Sequence, residues 1–139
     1  MSRHRMPVRL VYEALCDANK HWYVRYAEIW TSDRTEARRC VQTALDALEA
    51  QWATVLRTAS PAARVWKGLR AEVERRSAAE GSTAEHIRSL LSGDQADILL
   101  LHQKLRLPLK QAARLMGLPE PEALVLLRGA ERRLAADGR

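Results

Sequence analysis

Two short stretches with helical apolar spacing, Leu109 to Met116 and Glu120 to about Ala135, are separated only by Gly117-Leu118-Pro119. That turn constrains the fold more than any other feature of the chain. A tight helix-turn-helix needs a small residue in its first helix so that the second can approach, and Ala113 supplies it. It needs a residue that tolerates positive φ at the turn, and Gly117 comes four positions later. It also needs apolar pins, and Ala112, Leu115, Met116, Leu118, Ala123 and Leu127 are placed to serve. Upstream, Asp94 is expected to cap a helix running through Ile98-Leu99-Leu100-Leu101 to about Leu105.

The rest of the chain reads as helix too. It is rich in Ala, Leu, Arg and Glu, with only 6 Gly and 5 Pro among 139 residues, a mixture that favours helix throughout. Val11, Ala14, Leu15, Ala18, Trp22, Tyr26, Ile29 and Trp30 hold helical spacing up to a break at Thr31-Ser32. Asp33 then reads as an N-cap, with Glu36 completing a capping box. From there Ala37, Cys40, Val41, Ala44, Leu45, Leu48, Trp52, Val55 and Leu56 keep a three-four rhythm, which predicts one long helix. Ser60-Pro61 reads as a cap followed by proline in the first turn. The next helix sets Val65, Trp66, Leu69 and Val73 against a basic face of Arg64, Lys67, Arg70, Arg75 and Arg76. Small polar residues from Ser77 to Thr83 read as a linker. Ser82 with Glu85 then caps a short helix through Ile87, Leu90 and Leu91, ended by Gly93. The expected architecture is all-α: a helical domain over 8–76, a linker over 77–83 and a helix-turn-helix domain over 84–136.

Several functions are disfavoured. The apolar runs Ile98 to Leu101 and Ala123 to Leu127 are too short to cross a bilayer. The basic start, Met1 to Pro7, leads into no hydrophobic signal core, so a cytoplasmic location is expected. Cys16 and Cys40 fall on apolar stripes and read as buried reduced thiols. His4, His21, His86 and His102 lack ligand spacing, so neither metal nor cofactor is expected. There is no catalytic constellation, and the chain is not expected to be an enzyme. The net charge of +6 suggests an anionic partner. Residues 1–76 hold 14 Lys/Arg against 9 Asp/Glu, whereas residues 77–139 hold 9 against 8, a net of only +1. Phosphate neutralisation supplies most non-specific duplex affinity, so the half with the helix-turn-helix begins poorly equipped.

Three segments carry a family likeness: Gln95 to Leu101, Leu107-Pro108-Leu109-Lys110-Gln111-Ala112-Ala113-Arg114-Leu115-Met116-Gly117-Leu118-Pro119, and Ala130-Glu131-Arg132-Arg133-Leu134. Together they resemble region 4 of the extracytoplasmic-function (ECF) sigma factors of the sigma-70 family. More weakly, Tyr12, Ala14-Leu15, Arg25-Tyr26-Ala27, Asp33 to Ala37 and Val41-Gln42 are similar to that family's region 2. Trp52 and Ser60 to Trp66 resemble the segment immediately C-terminal to those helices in actinobacterial members. The resemblance implies a region 2-like helical bundle and a region 4-like helix-turn-helix, acting at transcription initiation with RNA polymerase as partner.

Three features depart from the family pattern. Where its recognition helix presents polar or basic side chains, this chain has Glu122, Leu124, Val125 and Leu126. Leucine and valine can touch a thymine methyl but offer base edges no hydrogen bond. Arg38 and Arg39 stand where the family's polymerase-docking helix is acidic. The stretch Ala53 to Ala59 is short and bland where the family melts promoter DNA, and Trp52 and Trp66 lie on apolar faces. The expectation is therefore a degenerate sigma-like regulator with weakened promoter reading, in which Leu109, Leu124, Val125 and Leu126 form a protein interface. If DNA is bound, Lys110, Arg114, Arg128, Arg132 and Arg133 are the expected phosphate contacts, with Lys67, Arg70, Arg75 and Arg76 in the N-terminal half. The rival readings are a working alternative sigma factor and an interaction module without DNA binding, an antagonist or dimeric scaffold. The partner is RNA polymerase, another regulator or a second copy of the chain.

Overall fold

The computed structural model describes residues 8–76 and 83–138. All regular structure among them is helical, and none of these helices is long and apolar enough to cross a membrane. The chain divides into two compact units, Met1–Ser77 and Ala78–Arg139. The first holds α1 (Val8–Thr31), α2 (Arg34–Glu49), α3 (Trp52–Arg57) and α4 (Pro61–Arg76). The second holds α5 (Thr83–Leu90), α6 (Gly93–Leu99), α7 (Leu109–Met116) and α8 (Glu120–Asp137), with α6 prolonged by a π-helical turn over Leu100–Lys104.

In the first unit, Ser32 takes φ 59° and lets the chain reverse between α1 and α2. Asp33 caps α2 by accepting from the backbone N–H of Thr35 and Glu36. The expected reciprocal bond from Glu36 gives way to an ion pair with Arg76 on α4 at 2.8 Å. The single helix expected through Leu56 is two. Gln51 leaves helical geometry (φ −123°, ψ 25°), and its N–H turns back to Leu48 O at 2.9 Å. The apolar rhythm crosses this break because both pieces face one core, where Leu48 and Val55 are buried and Trp52 is half-buried.

The buried face of α1 also differs from expectation. Tyr12, Cys16, Tyr23, Tyr26, Ala27 and Trp30 are buried. Val11, Ala14 and Ala18 are exposed, and Leu15, Trp22 and Ile29 are only half-buried. At Tyr12 the rotation follows from tyrosine's dual character, an apolar ring with a polar tip. Tyr12 reaches the core and donates its hydroxyl to Leu45 O at 3.0 Å. Deeper in, Tyr26 and Trp66 have ring centroids 4.5 Å apart, and burying such rings stabilises by about 1.5–3 kcal/mol each. On α4, Ser60 Oγ accepts from Ala63 N–H at 3.2 Å, as a cap before Pro61 should. Gly68 permits close approach: a Cβ there would stand 2.9 Å from Leu48 Cδ1. Glu72 shares the buried face of α4, where it accepts from Arg76 Nε at 2.6 Å and pairs with Arg75. Burial pushes its carboxyl up, but the hydrogen bonds from Arg76 and Arg75 outweigh this and hold it below the usual carboxylate range.

In the second unit, the helix expected to begin at Asp94 is capped by Ser92. Ser92 Oγ accepts from Gln95 N–H, and the Gln95 side chain returns a bond to the Ser92 backbone. A capping box satisfies two orphan amides, whereas Asp94 in the first turn only complements the helix dipole. Ile98, Leu99, Leu100 and Leu101 are all buried. The π turn ends in a reversal at Arg106 (φ 58°), closed by Leu107 N–H on Leu101 O at 3.0 Å. Most of the Ser77–Thr83 linker and the Ser82/Glu85 cap lie outside the described residues; Thr83 opens α5.

Candidate interface on the C-terminal helices

The helix-turn-helix forms at the expected residues. α7 ends in a Schellman motif: Leu118 N–H bonds Ala113 O at 2.8 Å and Gly117 N–H bonds Arg114 O at 3.1 Å. Gly117 adopts φ 73°, a left-handed geometry open to glycine at little cost. Pro119 then stands at the N-cap of α8 with extended backbone, so helix cannot run on from α7. Ala112, Ala113, Leu115 and Met116 on α7 are buried, as are Ala123, Leu127 and Ala130 on α8. Leu118, expected among the pins, is only half-buried.

That packing fixes what α8 presents outward. Val125 is 68% exposed and Leu124 40% exposed. They lie near the start of the helix, the end whose side chains contact base edges in helix-turn-helix complexes. Leu126 and Leu109 are half-buried. Leu124 and Leu126 are two residues apart and point to different sides of the helix, so the exposed apolar patch centres on Leu124 and Val125. Glu120 and Glu122 occupy the exposed first turn, where they suit the helix dipole and oppose a phosphate at that end.

Cations are nevertheless present. Lys110 and Arg114 on α7 and Arg128, Arg132 and Arg133 on α8 are exposed. Among the described residues none of the five has a carboxylate partner. They follow the Leu124–Val125 patch along α8 or lie on α7, so the start of α8 itself carries no cation.

The basic face expected on α4 is partly spent on structure. Arg76 is half-buried and holds Glu72, Glu36 and Thr43 Oγ1. Arg75 is exposed but engaged with Glu72, Arg70 is half-buried, and Lys67 is exposed. The compact cluster of cations in the first unit lies elsewhere, between α1 and α2, where Lys20, Arg25, Arg34, Arg38 and Arg39 line one groove. Reading the sequence helix by helix missed Lys20, Arg25 and Arg34. Their signal was a basic i, i+4 row on α2 and the short reversal that brings α1 back against it.

Cys16 and Cys40 are free and buried. Burial pushes both thiols up, Cys40 to about 11. No group of three or more His, Cys, Asp or Glu suited to a metal ion occurs among the described residues. No protein-family model, curated protein or solved structure matched the chain.

Proposed function

We propose that this chain is a sigma-factor-like transcription regulator whose second helix-turn-helix helix contacts protein in place of bases. The observation that carries the reading is the exposure of Leu124 and Val125 where a reading helix needs donors and cations. An apolar pair on that outer face gains most from burial against another protein surface. The acids at the start of α8 and the near-neutral charge of residues 77–139 favour the same conclusion. In this reading the ECF-like regions 2 and 4 are retained as scaffold, and RNA polymerase, another regulator or a second copy is the partner.

A working alternative sigma factor is the second reading. The five exposed cations Lys110, Arg114, Arg128, Arg132 and Arg133 favour it, because they can neutralise phosphates without first breaking an ion pair. Purified RNA polymerase and duplex DNA separate the two. The proposal expects polymerase or self-association with weak, strongly salt-sensitive DNA binding. Promoter-dependent transcription by the reconstituted mixture supports the second reading and overturns the first.

A further inference from the structure

We propose that the groove between α1 and α2 is a binding site for a compact polyphosphate anion. Such a site is independent of the transcription reading. The groove measures about 550 Å³ and is lined by Lys20, His21, Val24 and Arg25 from α1 and by Arg34, Arg38, Arg39 and Gln42 from α2. Residues 20, 21, 24 and 25 occupy one face of α1, and 34, 38, 39 and 42 one face of α2, so the cations form two facing rows.

Five of the eight lining residues are Lys or Arg, and none is Asp or Glu. Of the nearby acids, Asp33 caps α2 and Glu36 holds Arg76, while Asp46 borders the groove and accepts from its Gln42 at 2.8 Å; Gln42 in turn accepts from Lys20 at 3.3 Å. Arg34 reaches Glu28 only at 3.5 Å. Arg25, Arg38 and Arg39 have no carboxylate partner among the described residues. Like charges at i, i+4, such as Arg34 and Arg38, repel one another, and a shared anion would relieve that repulsion.

The size and chemistry of the groove select the anion. Small-ligand sites span roughly 300–1,000 Å³, and this groove falls among them. Arginine outnumbers lysine four to one in the lining, and guanidinium forks match the oxygens of phosphate and carboxylate groups bidentately. Five cations within one small volume call for densely packed negative charge, as in linked phosphates. A peptide spreads its carboxylates over more chain. A single strand of nucleic acid wants aromatic platforms, but the lining offers only His21, set edge-on to Trp22 at 4.9 Å.

Calorimetric titration of the full chain with inorganic tripolyphosphate tests the site. The expected result is one tripolyphosphate per chain, bound more tightly than an oligothymidylate or a glutamate-rich peptide. Arg38→Gln with Arg39→Gln should weaken binding at least about tenfold, as should Lys20→Gln with Arg34→Gln from both walls. The pair Arg57→Gln and Arg106→Gln removes equal charge outside the groove and should change the affinity less than about twofold. Far-UV circular dichroism verifies that each variant is folded. The proposal is overturned if tripolyphosphate does not bind, if the control pair weakens it equally, or if the oligonucleotide or peptide binds more tightly.

Discussion

Arg76 on α4 donates to the carboxylate of Glu36 on α2 at 2.8 Å while its Nε holds Glu72 of its own helix at 2.6 Å. One guanidinium thus links two helices and compensates a carboxylate that is only 7% exposed. Removing it would leave Glu72 buried with only the exposed Arg75. Arg76→Met should destabilise the N-terminal unit by about 1.5–3 kcal/mol, the range for hydrogen bonds to charged groups. The same carboxyl sets an acid limit. Its folded value lies below the ordinary 4.5, so its stabilisation is complete above that pH and is lost as pH falls through the lower folded value. Thermal melts in acidic buffers should show this loss in the wild type, and Glu72→Gln should flatten it.

Gly117 closes the turn between α7 and α8. Its φ of 73° is costly for a residue with a Cβ. Gly117→Ala should destabilise the C-terminal unit by about 1–2 kcal/mol, lowering its melting temperature by on the order of 5–10 °C. Hydrogen exchange at Leu118, whose amide bonds Ala113 O, should accelerate in parallel.

Cys16 and Cys40 should behave as packing groups. Both are buried, and burial pushes Cys40 up to about 11, so little thiolate forms near neutral pH. An aromatic disulfide reagent at neutral pH should label neither thiol in the native protein and both in denaturant. Rapid native labelling of either one would place it nearer the surface than the fold does.

Much of the C-terminal unit was legible because its signals are local. Gly117 and Pro119 punctuate the chain independently of tertiary context, and α7 ends at Met116 as read. Other features depend on pairing. The buried face of α1 rotates because Tyr12 and Tyr23 enter the core in place of Val11 and Ala18; the Leu45 carbonyl of α2 explains Tyr12, whereas the buried Tyr23 hydroxyl has no hydrogen-bond partner among the described residues. The break at Ala50 and Gln51 was hidden because α3 resumes the period of α2. Arg75 and Arg76 read as free surface charge, yet Glu72, set within the apolar stripe Leu69–Val73, draws both of them to itself. Of the expected protein-contact residues, Leu124 and Val125 are exposed, whereas Leu109 and Leu126 are half-buried.

The claim that α8 is a protein-contact surface is tested most directly by light scattering. The wild type would be compared with a Leu124→Lys, Val125→Arg variant, each alone and mixed with purified RNA polymerase. Both positions are exposed, so the variant should fold. The predicted result is that the wild type associates, with itself or with polymerase, and that the variant loses the association while binding duplex DNA more tightly. A variant that associates as the wild type does, or a wild type that binds duplex DNA as tightly as the variant, would contradict the claim.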